Sequence, residues 1–369
     1  MVTVQDIQNI MEHWAPKEIA WKDDNPGLQC GDPSARVKGI LVTLDVTERV
    51  IEEARRTGAN LILSHHPLVF KPLRSVSTGN EIGRCIRALA KNDISLFSAH
   101  TNLDFARGGT SFALAEKLGV GDIRFLSMPY QVRKKIVTFV PASHVQAVAE
   151  AMAEAGAGII GNYDRCSFRT EGIGTFRGNA SSHPTLGSRG RDETVREVRL
   201  EMLLPSWHVE KVIAALLRTH PYEEVAYDLY PLENRDDRYG MGVIGTLSRP
   251  MKAKAFLALI KKRLATRALR ATGDLNITIR RVALCGGSGA ELIDEAIRQK
   301  ADIFVTADVK YHAFHHAAGK ITLVDAGHYE TEYPVVGAMT GRLEEELHRR
   351  GEKIPLRAVA FSTNPIRYM

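Results

Sequence analysis

The sequence predicts an α/β protein: a doubly wound, mostly parallel sheet domain, discontinuous along the chain, with an inserted ferredoxin-like α+β domain. Three observations carry this expectation. Short β-rich apolar runs alternate with helical stretches near both ends of the chain. Three of these runs precede about residue 126 and three follow about residue 280. The block between them has a different pattern and contains an internal repeat.

The apolar runs are 39–45, 60–64, 94–98, 282–285, 302–306 and 321–325, each ending in small or polar residues. Runs this short and continuously apolar read as strands buried on both faces. The stretches 47–57, 81–91 and 291–300 carry apolar residues three and four apart, which suits crossover helices over such a sheet. The expected division is 1–128, an insert over 129–246, and 247–369.

Within the insert, 139–152 realigns on 203–216, each copy being a strand, a proline turn and a helix. Strand patterns at 195–204 and 224–230 flank the second copy, so two βαβ units in a ferredoxin-like arrangement are the economical solution. His144 and His208 occupy equivalent positions at the helix starts, where capping and turn packing account for them. The stretch 172–191, rich in Gly, Ser and Arg, predicts a long exposed loop or hairpin.

At 369 residues the chain is long enough for two or three domains of roughly 100 to 200 residues. Its 44% hydrophobic and 25% charged content is that of an ordinary globular protein and excludes disordered and fibrous classes. Cys30, Cys85, Cys166 and Cys285 form no C-x-x-C pair, so neither a disulfide framework nor a zinc ribbon is expected. The N-terminus lacks the basic start and long apolar stretch of a signal peptide. No segment approaches the roughly 18 apolar residues of a membrane span, so a cytoplasmic protein is expected. The net charge of +6 is dispersed, and its densest stretch, 261–270, reads as a solvated helix face. Nucleic acid is left open without being indicated.

Ligands in open α/β sheets gather beyond the carboxyl ends of strands, where loops converge. The metal-ligating residue types sit there in this sequence. One strand runs into Ser64-His65-His66-Pro67, the next into Ser98-Ala99-His100 and on to Asp104, and the last into Asp325-Ala326-Gly327-His328 and Glu332. Adjacent residues of extended chain face opposite ways, so His65 and His66 are expected to serve different ions. Two neighbouring divalent ions need a bridging anion, for which Glu332 offers two oxygens. Imidazole mixed with carboxylate suits zinc or iron, and manganese next, better than magnesium or calcium. Pro334 reads as the first turn of a helix, which puts His328 on a loop and Glu332 at the helix start. His100 is the candidate catalytic proton carrier. Asp45 is either a similar partner or a helix cap. Asp308, Lys310 and His312 at another strand end are candidate substrate contacts, while Cys285-Gly286-Gly287-Ser288-Gly289 is either an anion cradle or a tight turn.

Taken together, Asp24-Asn25-Pro26-Gly27, Ser64-His65-His66-Pro67, the segment from Ser98 to Asp104, Cys285-Gly286-Gly287-Ser288-Gly289 and Asp325-Ala326-Gly327-His328-Tyr329 resemble the Nif-three-like family. Its members are also called GTP cyclohydrolase I type 2 homologues or dinuclear metal-centre hexameric proteins. The resemblance spans nearly the whole chain. Carried over by position, it makes His65, His66, Asp104, His328 and Glu332 the ligands of two divalent ions. It further implies a CutA- or PII-like insert, a toroidal homohexamer, and metal-dependent hydrolysis of a nucleotide or related substrate. The alternative is a ring-shaped binding or regulatory protein with structural metals. Ala307 and Phe314-His315-His316 depart from the family pattern and leave substrate contacts in that stretch open.

Overall fold

The computed structural model describes residues 1–128, 132–234 and 236–367. The chain divides into two compact units, Met1–Met128 with Asp237–Met369, and Pro129–Asp236.

The larger unit is mixed α/β and holds two sheets. In the first, the strands lie in the order Gly27–Cys30, Ser95–Ser98, Leu61–Ser64, Ile40–Thr43 and Leu356–Ala358, parallel except at the first edge. The three central strands are buried along their whole length, as their unbroken apolar runs require. Helices Glu48–Thr57 and Glu81–Lys91, capped by the Thr47 and Asn80 side chains, cover one face through Val50, Ile51, Cys85 and Leu89. Helices Val4–Trp14 and Pro334–Arg349 cover the other through Ile7, Met11, Met339 and Leu343.

The second sheet has the order Arg270–Thr272, Thr322–Asp325, Ile303–Ala307, Thr278–Ser288, Met241–Lys252 and Val120–Ser127. Only its three strands from Thr322–Asp325 to Thr278–Ser288 are mutually parallel. The expectation of a single doubly wound sheet is therefore corrected to two. Met241–Lys252 pairs antiparallel with Thr278–Ser288 on one side and with Val120–Ser127 on the other, so the strands after the insert form a sheet of their own. Because that strand belongs to the larger unit, the insert ends at Asp236, not at 246.

The insert contains Arg133–Pro141, Val145–Glu154, Phe168–Arg177, Asp192–Pro205, Val209–Thr219 and Tyr227–Pro231, in the order strand, helix, strand, strand, helix, strand. Its antiparallel sheet runs second, third, first, fourth, which is the split βαβ arrangement that the repeat predicts. Val148, Met152, Val212 and Leu216 seal the two helices onto Ile136, Leu200 and Met202. His144 bonds Ser143 Oγ at 2.9 Å and His208 Nδ1 lies 3.4 Å from Gly156 O, local contacts at the helix starts. The Gly- and Ser-rich stretch forms the end of a hairpin between Phe168–Arg177 and Asp192–Pro205. Among the described residues, no helix is long and apolar enough to cross a membrane.

Candidate metal centre

The candidate ligands meet where strand ends of both sheets of the larger unit converge. Leu61–Ser64 continues its pairing one step beyond the strand, with the His65 and His66 amides donating to Thr43 O at 3.1 Å and Leu44 O at 2.9 Å. The chain bends there, so the two imidazoles do not face opposite ways as a regular strand would have them. Their ring centroids are 5.0 Å apart. Ser95–Ser98 leads through His100 into the short helix Thr101–Phe105, which carries Asp104. In the second sheet, Gly327 (φ 89°) turns the chain from Asp325 into the helix His328–Glu332. His328 thus opens a helix and does not sit on a loop, and Glu332 closes that same helix ahead of Pro334, the first residue of the next. Their i, i+4 spacing places both on one face.

Glu332, only 3% exposed, stands at the centre. Its Oε1 lies 3.9 Å from His65 Nε2, which is itself 3.6 Å from Asp104 Oδ1. Its Oε2 lies 2.8 Å from His66 Nε2 and 3.0 Å from His328 Nε2. These approaches lack hydrogen-bond geometry, and His65 Nε2, Asp104 Oδ1 and Glu332 Oε2 are buried without any hydrogen-bond partner. Buried polar atoms are rarely left so. Donor atoms about 2.1 Å from a common ion fall roughly 3.0 to 3.4 Å apart, close to the spacing seen here. The His65, His66 and Glu332 donors lie within 4.8 Å of one another, a group that could hold a metal ion. The donor chemistry and the orphaned atoms both fit a divalent cation.

The histidines are oriented from behind. His65 Nδ1 lies 2.8 Å from the Ala99 carbonyl, His66 Nδ1 2.7 Å from Asp45 Oδ1, and His328 Nδ1 2.6 Å from Asp308 Oδ2. Each acceptor takes an Nδ1 proton, which leaves Nε2 as the nitrogen for a metal. Asp45 is itself fixed by Thr363 Oγ1 at 2.5 Å. Asp45→Asn and Asp308→Asn are each expected to weaken metal affinity roughly 10- to 100-fold without unfolding the protein, as competition with a fluorescent chelator would measure.

Electrostatics separate the members of the cluster. Burial drives His65 down to about 3 and keeps it neutral. Burial alone would lower His66 and His328 as well. Asp45 and Glu332 instead lift His66 to about 10, and Glu332 with Asp308 lifts His328 to about 9. Burial, then the neighbouring Glu332, raises Asp104 to about 7. Burial opposes ionisation of Glu332, but His328 and His66 outweigh it and hold that carboxyl well below its usual range. The metal-free cluster therefore stores protons that a cation would displace.

The glycine run at Cys285-Gly286-Gly287 ends strand Thr278–Ser288 and packs against this centre. The Gly286 amide donates to Ser111 Oγ at 3.2 Å and the Gly287 amide to Thr331 Oγ1 at 3.0 Å, so neither is free to cradle an anion. Gly287 has φ 64°, and a Cβ there would overlap Glu332 Oε1. Gly287→Ala is expected to cost about 1 to 3 kcal/mol and to displace Glu332, visible as a lower unfolding midpoint together with reduced metal content.

His100 stands beside the cluster, its ring centroid 5.4 Å from His65 and 5.5 Å from His66. Its Nδ1 lies 2.8 Å from Asp24 Oδ1, while Asp24 Oδ2 accepts from the Thr101 amide at 3.1 Å and hydroxyl at 2.5 Å. Burial opposes ionisation of Asp24, yet His100 and Thr101 bring it down to about 2, so it stays ionised. A cavity of about 80 Å³ opens over Asp104, His328 and Glu332, lined also by His100, Trp21 and Phe105. Asp308, expected among the substrate contacts, is drawn onto His328. Lys310 and His312 are exposed, and among the described residues neither side chain makes a hydrogen bond or ion pair. Asp24, Gly287 and Thr363 were not singled out by their chemistry. Asp24 and Gly287 fall within the motifs that carry the family resemblance, whereas nothing local marks Thr363.

The Duf34/NIF3 (NGG1p interacting factor 3) family model matches residues 2–365. The chain is 38% identical over 367 residues to the GTP cyclohydrolase 1 type 2 homolog of Halalkalibacterium halodurans, covering 99% of this chain and 98% of that protein. It is also 38% identical over 370 residues to the Bacillus subtilis protein of the same description, covering 100% and 99%. Among solved structures, a Bacillus cereus protein related to NIF3 superposes with a TM-score of 0.81 at 38% identity, covering 100% of this chain and 99% of that one. The chain belongs to the Duf34/NIF3 family.

Proposed function

We propose that the protein binds two divalent metal ions and is a metal-dependent hydrolase of the GTP cyclohydrolase type, acting on a nucleotide or a related C–N or phosphoester substrate. The observation that carries this proposal is the division of Glu332. One oxygen faces His65, which in turn lies beside Asp104, the other faces His66 and His328, and His65 Nε2, Asp104 Oδ1 and Glu332 Oε2 have no hydrogen-bond partner. A carboxylate shared in this way offsets the repulsion of two neighbouring cations. Imidazole with carboxylate favours zinc or iron, then manganese. The description of the relatives as GTP cyclohydrolase homologues supports the reaction class.

When bound, such ions supply Lewis acidity, polarising a substrate oxygen and acidifying nearby water. The chain's own residues do the rest. His65, His66 and His328 present Nε2 lone pairs held in place from Nδ1, and Asp104 and Glu332 bring the negative charge. His100, steadied by ionised Asp24, has Nε2 available to take up a proton, and Asp24 stabilises the imidazolium that results. Lys310 and His312, unpaired at the adjoining strand end, take the anionic groups of the substrate. The same proposal includes a toroidal homohexamer and a CutA- or PII-like insert, the latter supported by the strand order of its sheet.

Metal analysis of the purified protein, followed by hydrolysis assays on GTP, other nucleotides and phosphoesters, tests the reading. Wild type should turn over at least one of these. His100→Ala should keep its metal and lose roughly 10²- to 10⁴-fold in kcat. Full metal content without turnover of any substrate would favour the alternative, a ring-shaped binding or regulatory protein with structural metals.

A further inference from the structure

The insert encloses a cavity of about 620 Å³ that the metal chemistry does not use. It lies between the hairpin strand Phe168–Arg177, the hairpin loop around Pro184, and the turn from Tyr222 to Ala226. The loop is tied down over it: the His183 amide donates to Glu223 Oε1 at 2.5 Å, and Thr185 Oγ1 donates to Pro221 O at 2.7 Å. Gly172 and Gly174 leave its strand wall bare. A Cβ at Gly172 would meet nothing within 4 Å, and one at Gly174 would collide with Glu197 Oε2, so the Glu197 carboxylate lies across that glycine.

Two polar groups of this cavity face one another without a cation between them. The Tyr222 hydroxyl is buried and turned toward the Glu197 carboxylate. Among the described residues Glu197 has no cationic partner at ion-pair distance. Burial, then the adjacent Glu197, raises the Tyr222 phenol above its ordinary value, so it remains a protonated donor and acceptor. The basic residues of the lining are engaged elsewhere, Arg199 with Glu201 at 2.8 Å and Arg177 with Asp192 at 3.9 Å. Glu171 and Glu224 add further negative charge to the lining. Phe139, Phe176 and Tyr222 contribute aromatic surface and Pro184 and Leu186 apolar surface.

We propose that this cavity binds a small organic cation, an amine or amidine carried on an apolar or aromatic body, with Glu197 and Tyr222 receiving its N–H groups. A carboxylate without a countercharge attracts a cation, and aromatic walls add cation–π attraction to an apolar fit. An anion would meet uncompensated glutamates, and a neutral isostere would leave the Glu197 charge unbalanced. The proposal rests on the insert alone and stands whether or not the metal centre is hydrolytic.

Isothermal titration calorimetry on the full-length, metal-loaded protein with benzamidine, benzamide and benzoate tests it. Benzamidine should bind at least tenfold more tightly than benzamide, with no detectable heat from benzoate. Glu197→Gln should weaken benzamidine about tenfold. Gly172→Leu should abolish binding, because its side chain enters the open space without displacing backbone. Thermal unfolding would check that both variants are folded, and Tyr222→Phe, expected to bind more weakly, replaces Gly172→Leu should that variant not fold. Equal binding of benzoate and benzamidine, no binding of benzamidine to wild type, or unchanged affinity in folded Glu197→Gln would overturn the proposal.

Discussion

Replacing Glu332 with alanine is expected to empty the metal centre and abolish turnover, a loss larger than the roughly 10- to 100-fold that follows removal of an outer partner in such sites. Glu332 is the residue that both donor sets share, and it is 3% exposed. Without it, His65 and Asp104 on one side and His66 and His328 on the other have no common anion. Two ions bound as proposed would then repel one another unscreened. The metal-free form should suffer as well, since His66 and His328 lose the carboxylate that raises both of them. Breaking one member of a buried charged cluster typically costs about 3 to 5 kcal/mol. Glu332→Gln keeps the shape but offers a single acceptor oxygen without charge, and should retain at most one ion weakly. Plasma mass spectrometry for metal content and thermal unfolding for stability measure the two effects separately.

The second large effect is a pH dependence confined to the metal-free protein. The folded-state values of His66, about 10, and His328, about 9, lie above their ordinary 6.5. A histidine raised on folding contributes stability that is complete below its unfolded value and is lost as pH climbs through the folded one. Asp104, raised to about 7 from 3.8, works in the same direction over a lower window, between about pH 4 and 7. Metal-free protein should therefore lose stability progressively from pH 7 to 10, by several kcal/mol at about 1.4 kcal/mol per unit of displacement. Metal-loaded protein, whose imidazoles have already surrendered those protons, should show a much flatter profile. Cation uptake near neutral pH should release protons from His66 and His328, read as a dependence of binding enthalpy on the ionisation enthalpy of the buffer.

Much of this centre was legible because its chemistry obeys a topological rule. His65, His66, Asp104, His328 and Glu332 all follow strands, and in open α/β sheets strand ends converge. What the sequence did not convey depended on contacts between distant segments. Met241–Lys252 pairs on one side with nearby Thr278–Ser288 and on the other with Val120–Ser127 from beyond the insert, a distant partner that no local pattern announces. The facing of His65 and His66 depended on a bend just past Ser64, where strand alternation no longer applies. Asp24 and Thr363 lie outside the central strands and gain their roles only when the fold brings them to His100 and Asp45. Asp308 stands at a strand end, as its place in the sequence implies, and its carboxylate reaches His328. The insert is legible in the sequence because a repeated strand, proline turn and helix specify a local unit twice over.

The number of ions per chain tests the shared role of Glu332 most directly. Native mass spectrometry of the protein saturated with zinc or iron should show two ions on each chain of wild type and neither in Glu332→Ala. A single ion per chain at saturation, or two ions retained by Glu332→Ala, would contradict a centre built around that carboxylate.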